Sequence, residues 1–434
     1  MTTGSRRTIV VIGAGIVGLT TALELQKDGH HVRIVDPGSP GGRQSASYGH
    51  GAWINPASVM PTSLPGLWKQ VPGMMRDPVG PFYIAKLDMI RLLPWLLRFL
   101  WAGSNWDKVE ACAMRRHALC RGAVEHHAAL AREAGVSHTL RREGLVTVFR
   151  SRDVFARGKK DAAIRERLGI VLGELDAEAL RAREPDLSDG YTFASVVKEG
   201  AYLADTAGYC RALGNLLVRG GGDIVNARVL DFEFDGDRLV AVRTDNSRID
   251  CEVAVLAAGA HSLTLARKVG DTVSMASERG YHVQVSGASV GPRHSLILSD
   301  GKVAISPQPG GFRVAGQVEL APVAKQPNWR RADIMLHHAR RAFPDLDLEQ
   351  PGLRLDRWMG HRPSTPDGLP VIGHSRRSRD VIHAFGHGHA GPTMAPATAR
   401  AVAALVAGRA PDIDEQACSP RRFRWFGSRR GSLS

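Results

Sequence analysis

The chain has few cysteines for its 434 residues, and none of them is spaced as a C-x-x-C pair. There are five: Cys112, Cys120, Cys210, Cys251 and Cys418. An odd number without paired spacing argues against a disulfide framework and against a zinc ribbon. The composition therefore predicts a protein of a reducing cytoplasm.

Long apolar runs are also missing. No apolar segment with a cleavage site follows the N-terminal MTTGSRR, which argues against a signal peptide. The longest run, IRLLPWLLRFLWAG over residues 90–103, is interrupted by Arg91, Pro94 and Arg98 and is too short to span a bilayer. Two interpretations stay open for it: a core helix, or peripheral contact with the inner face of the cytoplasmic membrane.

Acidic residues are outnumbered, 43 against 57 lysines and arginines, for a net charge of +14. The excess is local: residues 421–434 form a predicted basic tail, and a second cluster occupies one loop (Arg421, Arg422, Arg424, Arg429 and Arg430; Arg376, Arg377 and Arg379). No basic stretch is interleaved with aromatic residues in the manner of single-strand binders. The pattern favours a solvated basic surface, and no nucleic-acid partner is expected.

A dinucleotide-binding pattern is present at the start of the chain. TIVVIG is an apolar strand, a helical segment follows, and HHVRIVD is the next strand. The first turn carries Gly13 for the tight turn, Gly15 for close approach to a pyrophosphate and Gly18 for helix-to-strand packing. Asp36 closes the second strand, where its carboxylate accepts bonds from a ribose. Amides at the helix N-terminus favour the phosphates.

The segments that follow discriminate between NAD and FAD. After the second strand comes PGSPGGRQSASYGHGAWINP, a loop that does not return as a parallel strand. Helical segments and one strand at residues 144–149 follow. A meander with Asp-Gly and Asp-Asn turns then leads to an apolar strand at residues 253–258. A Rossmann-type NAD enzyme would continue with further βαβ units, so this order favours a two-domain flavoprotein.

On these motifs the sequence resembles the FAD-dependent D-amino acid oxidase superfamily, and within it the bacterial D-amino acid dehydrogenases; glycine and sarcosine oxidases are also similar. The resemblance covers nearly the whole chain through VVIGAGIVGL, SASYGHGAWINPASVMP, DPVGPFYI with LLPWLLRFL, ERGYH, AVLAAGAHS, WMGHRPSTPDGLPVIG and AFGHGHAGPTMAPATARAVAALVAG. It implies an α/β fold with an α+β substrate domain, that is, a two-domain Rossmann-type flavoprotein of the D-amino acid oxidase and glutathione reductase type.

The resemblance implies a discontinuous FAD-binding domain and an inserted substrate domain. Residues 6–60, 195–265 and 355–420 are expected to bind FAD. Residues 61–194 and 266–354 are expected to form the substrate-binding domain, and residues 421–434 the tail.

The cofactor contacts that the resemblance implies are spread over several segments of the chain. The loop after the second strand is expected beside the flavin phosphates and ring, with His50 where relatives more often have Asn. Val229 is expected at the adenine, which is compatible with its being a core strand residue. Gly360 stands where some relatives tether FAD to a cysteine, so non-covalent FAD is expected. The full expected set is Gly13, Ala14, Gly15, Ile16, Val17, Gly18, Asp36, Pro37, Ser45, Ser47, Gly49, Gly51, Val229, Ala258, Gly259, Arg362, Gly388, Gly391 and Thr393.

Four residues are implied in catalysis: Arg362, Tyr281, His282 and His389. Arg362 is expected to bind the substrate carboxylate; the alternative is an internal ion pair with an Asp or Glu. Tyr281 and His282 are expected in the active site; the alternative is a strand with an inward aromatic. His389 is expected near the flavin face. Its other interpretation, a metal pair with His387, lacks further ligands, so no metal is expected.

The resemblance implies removal of a hydride from the α-carbon of a D-amino or imino acid, such as a hydroxyproline, to flavin N5. The imine hydrolyses to a 2-oxo acid, and a quinone takes the electrons. Two alternatives stay open. One is a glycine or N-methyl amino acid oxidase that makes hydrogen peroxide; the other is an FAD-containing RNA-modifying or binding protein, favoured only by the net charge.

Overall fold

The computed structural model describes residues 6–77 and 79–423. Its strands are β1 Thr8–Ile12, β2 His31–Asp36, β3 Trp53–Ile54, β4 Phe82–Ile84, β5 Leu140–Arg141, β6 Leu145–Phe149, β7 Gly173–Leu175, β8 Phe193–Val197, β9 Ala201–Leu203, β10 Asp223–Asn226, β11 Val229–Asp235, β12 Arg238–Thr244, β13 Arg248–Asp250, β14 Val253–Leu256, β15 Ala276–Ser286, β16 Leu296–Leu298, β17 Val303–Gln308, β18 Gly311–Leu320, β19 Arg354–Ser364, β20 Val371–His374 and β21 Val381–Phe385.

The helices are α1 Ile16–Lys27, α2 Leu67–Arg76, α3 Lys86–Ala102, α4 Trp106–Cys120, α5 Ala123–Glu133, α6 Arg152–Ala156, α7 Lys159–Arg167, α8 Ala177–Arg183, α9 Thr206–Arg219, α10 Ser262–Lys268, α11 Arg330–Ala342, α12 Gly391–Val406 and α13 Glu415–Cys418. Short 3₁₀ turns lie at Ser137–Thr139, Gly259–His261 and Pro420–Phe423. The predicted opening βαβ unit and the predicted meander are both present.

A six-stranded sheet with the order β10-β2-β1-β14-β21-β20 forms the first body. Its first five strands are parallel, and β20 runs antiparallel to β21. Alternate strand residues face opposite sides. Ile9 and Val11 pack with α1 and α12, whereas Val10 and Ile12 pack with α10 and the β11-β12-β13 meander. Cover on both faces explains why these strands are continuously apolar.

A nine-stranded mixed sheet forms the second body, with the order β19-β15-β18-β17-β16-β6-β8-β7 and β4 beside β18. Helix α11 packs on its apolar face. The strands β8 and β19 both belong to this sheet, although they lie at the edges of the segments expected to bind FAD. Conversely, α4 and α5 contribute side chains to the core around α1 and α12. The second sheet therefore takes strands from the edges of the expected FAD segments, and the first body takes two helices from within residues 61–194.

Helix α3 contains the apolar run and has two different faces. Trp95, Leu92, Leu96 and Phe99 pack onto the end of β4 and the sheet beneath it. The opposite face carries five large apolar side chains that are 50–74% exposed: Leu87, Ile90, Leu93, Leu97 and Trp101. Among the described helices, none has the length and apolar content needed to cross a membrane. The run is thus partly core and partly exposed surface.

The start of the predicted basic tail belongs to the folded body. Arg422 Nε donates to Asp367 Oδ2 at 2.8 Å, next to the turn at Gly368. Arg424, Arg429 and Arg430 lie outside the described residues.

Candidate active site

A cavity of about 720 Å³ opens at the carboxyl ends of the parallel strands. Its walls include Ile12, Val35 and Phe385 at these strand ends, and Ala304 and Gly360 from the nine-stranded sheet. Ligands of doubly wound sheets bind at such strand ends. Both bodies therefore contribute to the same site.

The turn after β1 forms one end of the cavity. Gly13 has φ 114°, and a Cβ there would lie 2.6 Å from Ala257 O. A Cβ on Gly18 would lie 1.9 Å from Gly13 O, so only glycine permits this packing of α1 against the turn. Gly15, Ile16 and Val17 line the cavity. Ala14 and Gly18 are absent from the lining of this cavity and act on the shape of the turn instead.

Asp36 accepts hydrogen bonds from the turn after β1 and from the loop after β2. Its Oδ2 accepts from Ala14 N at 2.8 Å, and its Oδ1 accepts from Gly38 N at 2.8 Å and from Gln44 Nε2 at 3.1 Å. Two carboxylate oxygens offer about four acceptor sites, so capacity remains for a ribose hydroxyl. Pro37 and Val229 line the cavity beside it. This end has the chemistry of a nucleotide site.

The other predicted cofactor residues continue along the same cavity. Ser47 Oγ accepts from Ile16 N at 2.9 Å, which places the serine loop against the N-terminus of α1. At the far end, α12 begins at Gly391 and directs its first amides, and the positive end of its dipole, into the cavity. The lining at and between these points includes Ser45, Gly49, Gly51, Ala258, Gly259, Gly388, His389 and Thr393.

The shape of this cavity fits FAD. The dinucleotide turn lies at one end, and the α12 amides lie at the other, where they would face the negative charge that FAD acquires on reduction. The cavity wall between these two ends is formed largely by small residues. A Cβ on Gly49 would lie 2.0 Å from the Trp358 ring, so the loop lies flush against the second sheet. These residues would hold the adenine nucleotide at the β1 turn and the flavin near His389 and Thr393.

Arg362 lines the flavin end of the cavity and is also ion-paired within the protein. The antiparallel register of β15 and β19 places Glu278 directly opposite it, and Nη1 lies 3.2 Å from Glu278 Oε1. Nη1 also donates to Gln317 O at 2.9 Å, and Nη2 donates to Gly316 O at 3.4 Å. The internal ion pair left open in the sequence is therefore present. These contacts use three of five N–H donors, which leaves two for a ligand.

Two of the predicted catalytic residues, Tyr281 and His282, do not line the cavity. Successive side chains of a strand face opposite sides. Gly280 faces the cavity, so Tyr281 turns into the core of the second sheet, where its hydroxyl donates to Glu319 and accepts from Asn328 N at 2.9 Å. His282 returns to the side of Gly280. There it stacks on Trp358 with ring centroids 5.1 Å apart, behind the cavity wall.

Three histidines near α12 are neutral at physiological pH. Burial lowers the pKa of His50 and of His387 to about 3, and that of His389 to about 4. The His389 side chain is exposed at the cavity. His387 Nε2 lies 2.9 Å from Thr398 Oγ1. Across residues 6–77 and 79–423, no group of three His, Cys, Asp or Glu side chains is placed to hold a metal ion.

The cavity also has lining residues that the sequence analysis missed: Trp53, Arg228, His261, Lys302 and His361. Arg228 and His361 are chain neighbours of the predicted Val229 and Arg362, which is a usable signal. Lys302 has φ 51° in the turn before β17. Nothing in its local sequence indicates a cavity, because the turn reaches the site only through the pairing of β17 with β18.

A parallel sheet with a dinucleotide turn, sharing one elongated cavity with a second, mixed sheet, defines the class of two-domain flavoproteins. The chain belongs to the DAO family of FAD dependent oxidoreductases, whose family model matches residues 8–405. It is an FAD-dependent oxidoreductase.

Relatives and solved structures agree with this assignment. The chain is 42% identical to a D-amino-acid oxidase of Bradyrhizobium diazoefficiens over 96% of this chain and 99% of the relative. It is 29% identical to D-amino acid dehydrogenase 2 of Ralstonia nicotianae over 93% of this chain and 97% of the relative. Glycine oxidase from Geobacillus kaustophilus superposes with a TM-score of 0.72 at 20% identity, covering 97% of this chain and 100% of that one. L-proline dehydrogenase from P. horikoshii gives 0.70 at 18%, covering 96% and 98%. The two superpositions show the fold alone.

Proposed function

We propose that the protein oxidises the CH–NH bond of a D-amino or imino acid, giving an imine that hydrolyses to a 2-oxo acid. The observation that carries this proposal is the guanidinium of Arg362, held at the flavin end of the cavity with N–H donors to spare. The names of the Bradyrhizobium and Ralstonia relatives support D-amino acids as the substrate class.

Arg362 suits the carboxylate of an amino or imino acid. A carboxylate accepts two parallel bonds from a guanidinium, which fixes the orientation of the substrate. Glu278 balances the charge of Arg362 from outside the cavity lining, so the guanidinium is already held in place when a substrate carboxylate arrives. This arrangement favours a substrate that carries a carboxylate.

FAD, when bound, supplies N5 as the hydride acceptor. The chain itself has to orient the substrate α-carbon, and Arg362 does so by gripping the carboxylate. His389 and His50 are neutral, so they add no competing positive charge at this end. The N-terminus of α12 would stabilise the negative charge that FAD acquires on reduction.

An anaerobic screen tests the substrate class. The yellow protein is mixed with D-amino acids, their L-enantiomers, cyclic imino acids, glycine and N-methyl amino acids, and loss of the oxidised flavin absorption is followed. Bleaching by D-amino or imino acids supports the proposal. Bleaching by glycine and N-methyl amino acids alone supports the oxidase alternative, and no bleaching by any of these compounds refutes both.

For the electron acceptor, we propose a quinone reached by peripheral contact of a cytoplasmic protein with the inner face of the membrane. The exposed face of α3 supports this proposal, since five large apolar side chains lie open on one helix. Trp68 on α2 is also exposed, and Lys69 lies over its ring at 5.5 Å. Apolar side chains bordered by cations suit an anionic lipid surface.

The name of the 42% identical relative favours oxygen instead. The two acceptors are distinguished by turnover with a saturating D-amino acid in the presence of a soluble quinone or of oxygen. Faster turnover with the quinone and recovery of the protein with liposomes support the membrane proposal. Vigorous peroxide production by a protein that stays in the supernatant supports an oxidase.

A further inference from the structure

Four consecutive carbonyl groups of the chain are held by side chains of the nine-stranded sheet. They belong to residues 48–51, which we name the carbonyl loop. Arg313 Nη1 donates to Tyr48 O at 3.0 Å and to His50 O at 3.2 Å. The carbonyl oxygens of Gly49 and Gly51 lie 3.4 Å from His282 Nδ1 and 3.3 Å from Ser306 Oγ. The second sheet therefore fixes every peptide of this loop from one side.

Arg313 is the charged member of this set, and it is 6% exposed. Burial lowers its pKa to about 10, so the side chain remains protonated at neutral pH. Among the described residues, no carboxylate lies within ion-pairing distance of it. Asp205 and Asp356 are the acids whose charges reach it, and Asp356 is already paired with Arg43 at 2.6 Å. Its third partner is the Thr206 hydroxyl, at 3.0 Å.

The geometry of the peptide bond gives this contact a consequence for the cavity. In a trans peptide the C=O and the following N–H point in opposite directions. Because the carbonyls of Tyr48 and His50 point at Arg313, the N–H groups of Gly49 and Gly51 are directed away from it. Both glycines line the cavity.

We propose that Arg313 is a positioning residue that turns the N–H groups of Gly49 and Gly51 toward bound FAD and, through these two peptide dipoles, favours reduction of the flavin. Bound FAD takes up two electrons and one proton to give an anion, and two amides backed by a buried cation stabilise that anion. The inference rests on the FAD-dependent oxidation proposed above and is independent of which amino acid is oxidised.

The test compares Arg313→Met and Arg313→Lys with Arg331→Met. Arg331 is a suitable control because it is equally buried in the second body, yet it donates to Gly80 O and Gln317 Oε1 rather than to the carbonyl loop. The reduction potential of bound FAD is measured anaerobically against a redox dye, with dithionite as the electron source. The dissociation constant of sulfite is measured for the same variants. Neither measurement requires an amino acid substrate, so failure of the proposed reaction would not affect them.

In Arg313→Met, two-electron reduction is expected to become about tenfold to a hundredfold less favourable, a shift of about −30 to −60 mV. Sulfite should bind more weakly by a similar factor. Arg313→Lys keeps the positive charge but does not reproduce the hydrogen bonds of the guanidinium to both carbonyls. Its reduction potential is therefore expected to lie between those of wild type and Arg313→Met. Arg331→Met should keep the wild-type potential.

Equal potentials in Arg313→Met and Arg331→Met would overturn the proposal. If Arg313→Met does not retain FAD, Arg313→Lys decides. A lowered potential in that variant supports the proposal, and a wild-type potential refutes it.

Discussion

Replacing Arg362 with methionine removes both the proposed carboxylate grip and one partner of an internal ion pair. The two roles have separate signatures, because the pair affects stability and the grip affects turnover. The Arg362 side chain is 23% exposed and that of Glu278 is 13% exposed. A single replacement therefore leaves a carboxylate partly buried without its cation.

The stability cost lies between two limits. Breaking a fully buried pair costs about 3–5 kcal/mol, and exposed pairs contribute about 0–1 kcal/mol. For these partly exposed side chains we expect Arg362→Met to lower the free energy of unfolding by about 1–3 kcal/mol. Adding Glu278→Gln should recover most of this loss, because a neutral amide needs no cation.

Turnover should behave differently. Loss of a charged, two-point contact of about 3–5 kcal/mol corresponds to a fall in kcat/KM of about two to four orders of magnitude. Arg362→Lys should recover only part of the lost kcat/KM, since an ammonium group does not form the two parallel hydrogen bonds of a guanidinium. The double variant should stay as slow as Arg362→Met. In Glu278→Gln alone, Arg362 keeps its bonds to Gly316 O and Gln317 O, so we expect kcat/KM within about tenfold of wild type.

Urea unfolding of the FAD-bound variants and anaerobic flavin bleaching provide the two measurements. The informative comparison is between Arg362→Met and the double variant. If the double variant regains kcat/KM together with stability, Arg362 holds the fold and does not bind the substrate.

Three further predictions follow from the fold and the cavity. Asp36→Ala should weaken FAD binding by about 1–3 kcal/mol in titrations of the apoprotein, and the wild-type protein should release FAD on heating; a colourless wild type would contradict this. Leu93→Glu and Leu97→Glu on α3 should abolish sedimentation with anionic liposomes, whereas Val171→Glu, at a site 79% exposed elsewhere, should not; equal effects would refute the membrane surface. Buried and partly buried histidines should make stability fall as the pH drops from about 6.5 toward 4, because the unfolded chain binds protons that the folded chain excludes; a thermal midpoint unchanged between pH 7 and pH 5 would contradict this for His50, His127, His282, His361 and His387.

Much of the fold and the cofactor site was predictable because the relevant signals are local. The turn with Gly13, Gly15 and Gly18 requires glycine for reasons of backbone geometry and close approach. The spacing of these glycines between two strands is a pattern within thirty residues of chain, although the close approach of Gly13 to Ala257 O is a long-range contact. Turn residues and an apolar run likewise predicted the meander and β14. The FAD-binding class therefore followed from short-range physics and from motif order.

Residue roles at the substrate end depended on long-range pairing. Glu278 and Arg362 are 84 residues apart in the chain, and only the register of β15 against β19 places them face to face. The outward or inward direction of Tyr281 depends on which face of β15 is covered, and its sequence neighbours do not specify this. The role of Arg313 could not be predicted, because a single arginine in a strand can face solvent as readily as the protein interior. Tertiary structure decided that it meets the carbonyl loop instead, since two strands and a loop from different parts of the chain converge there.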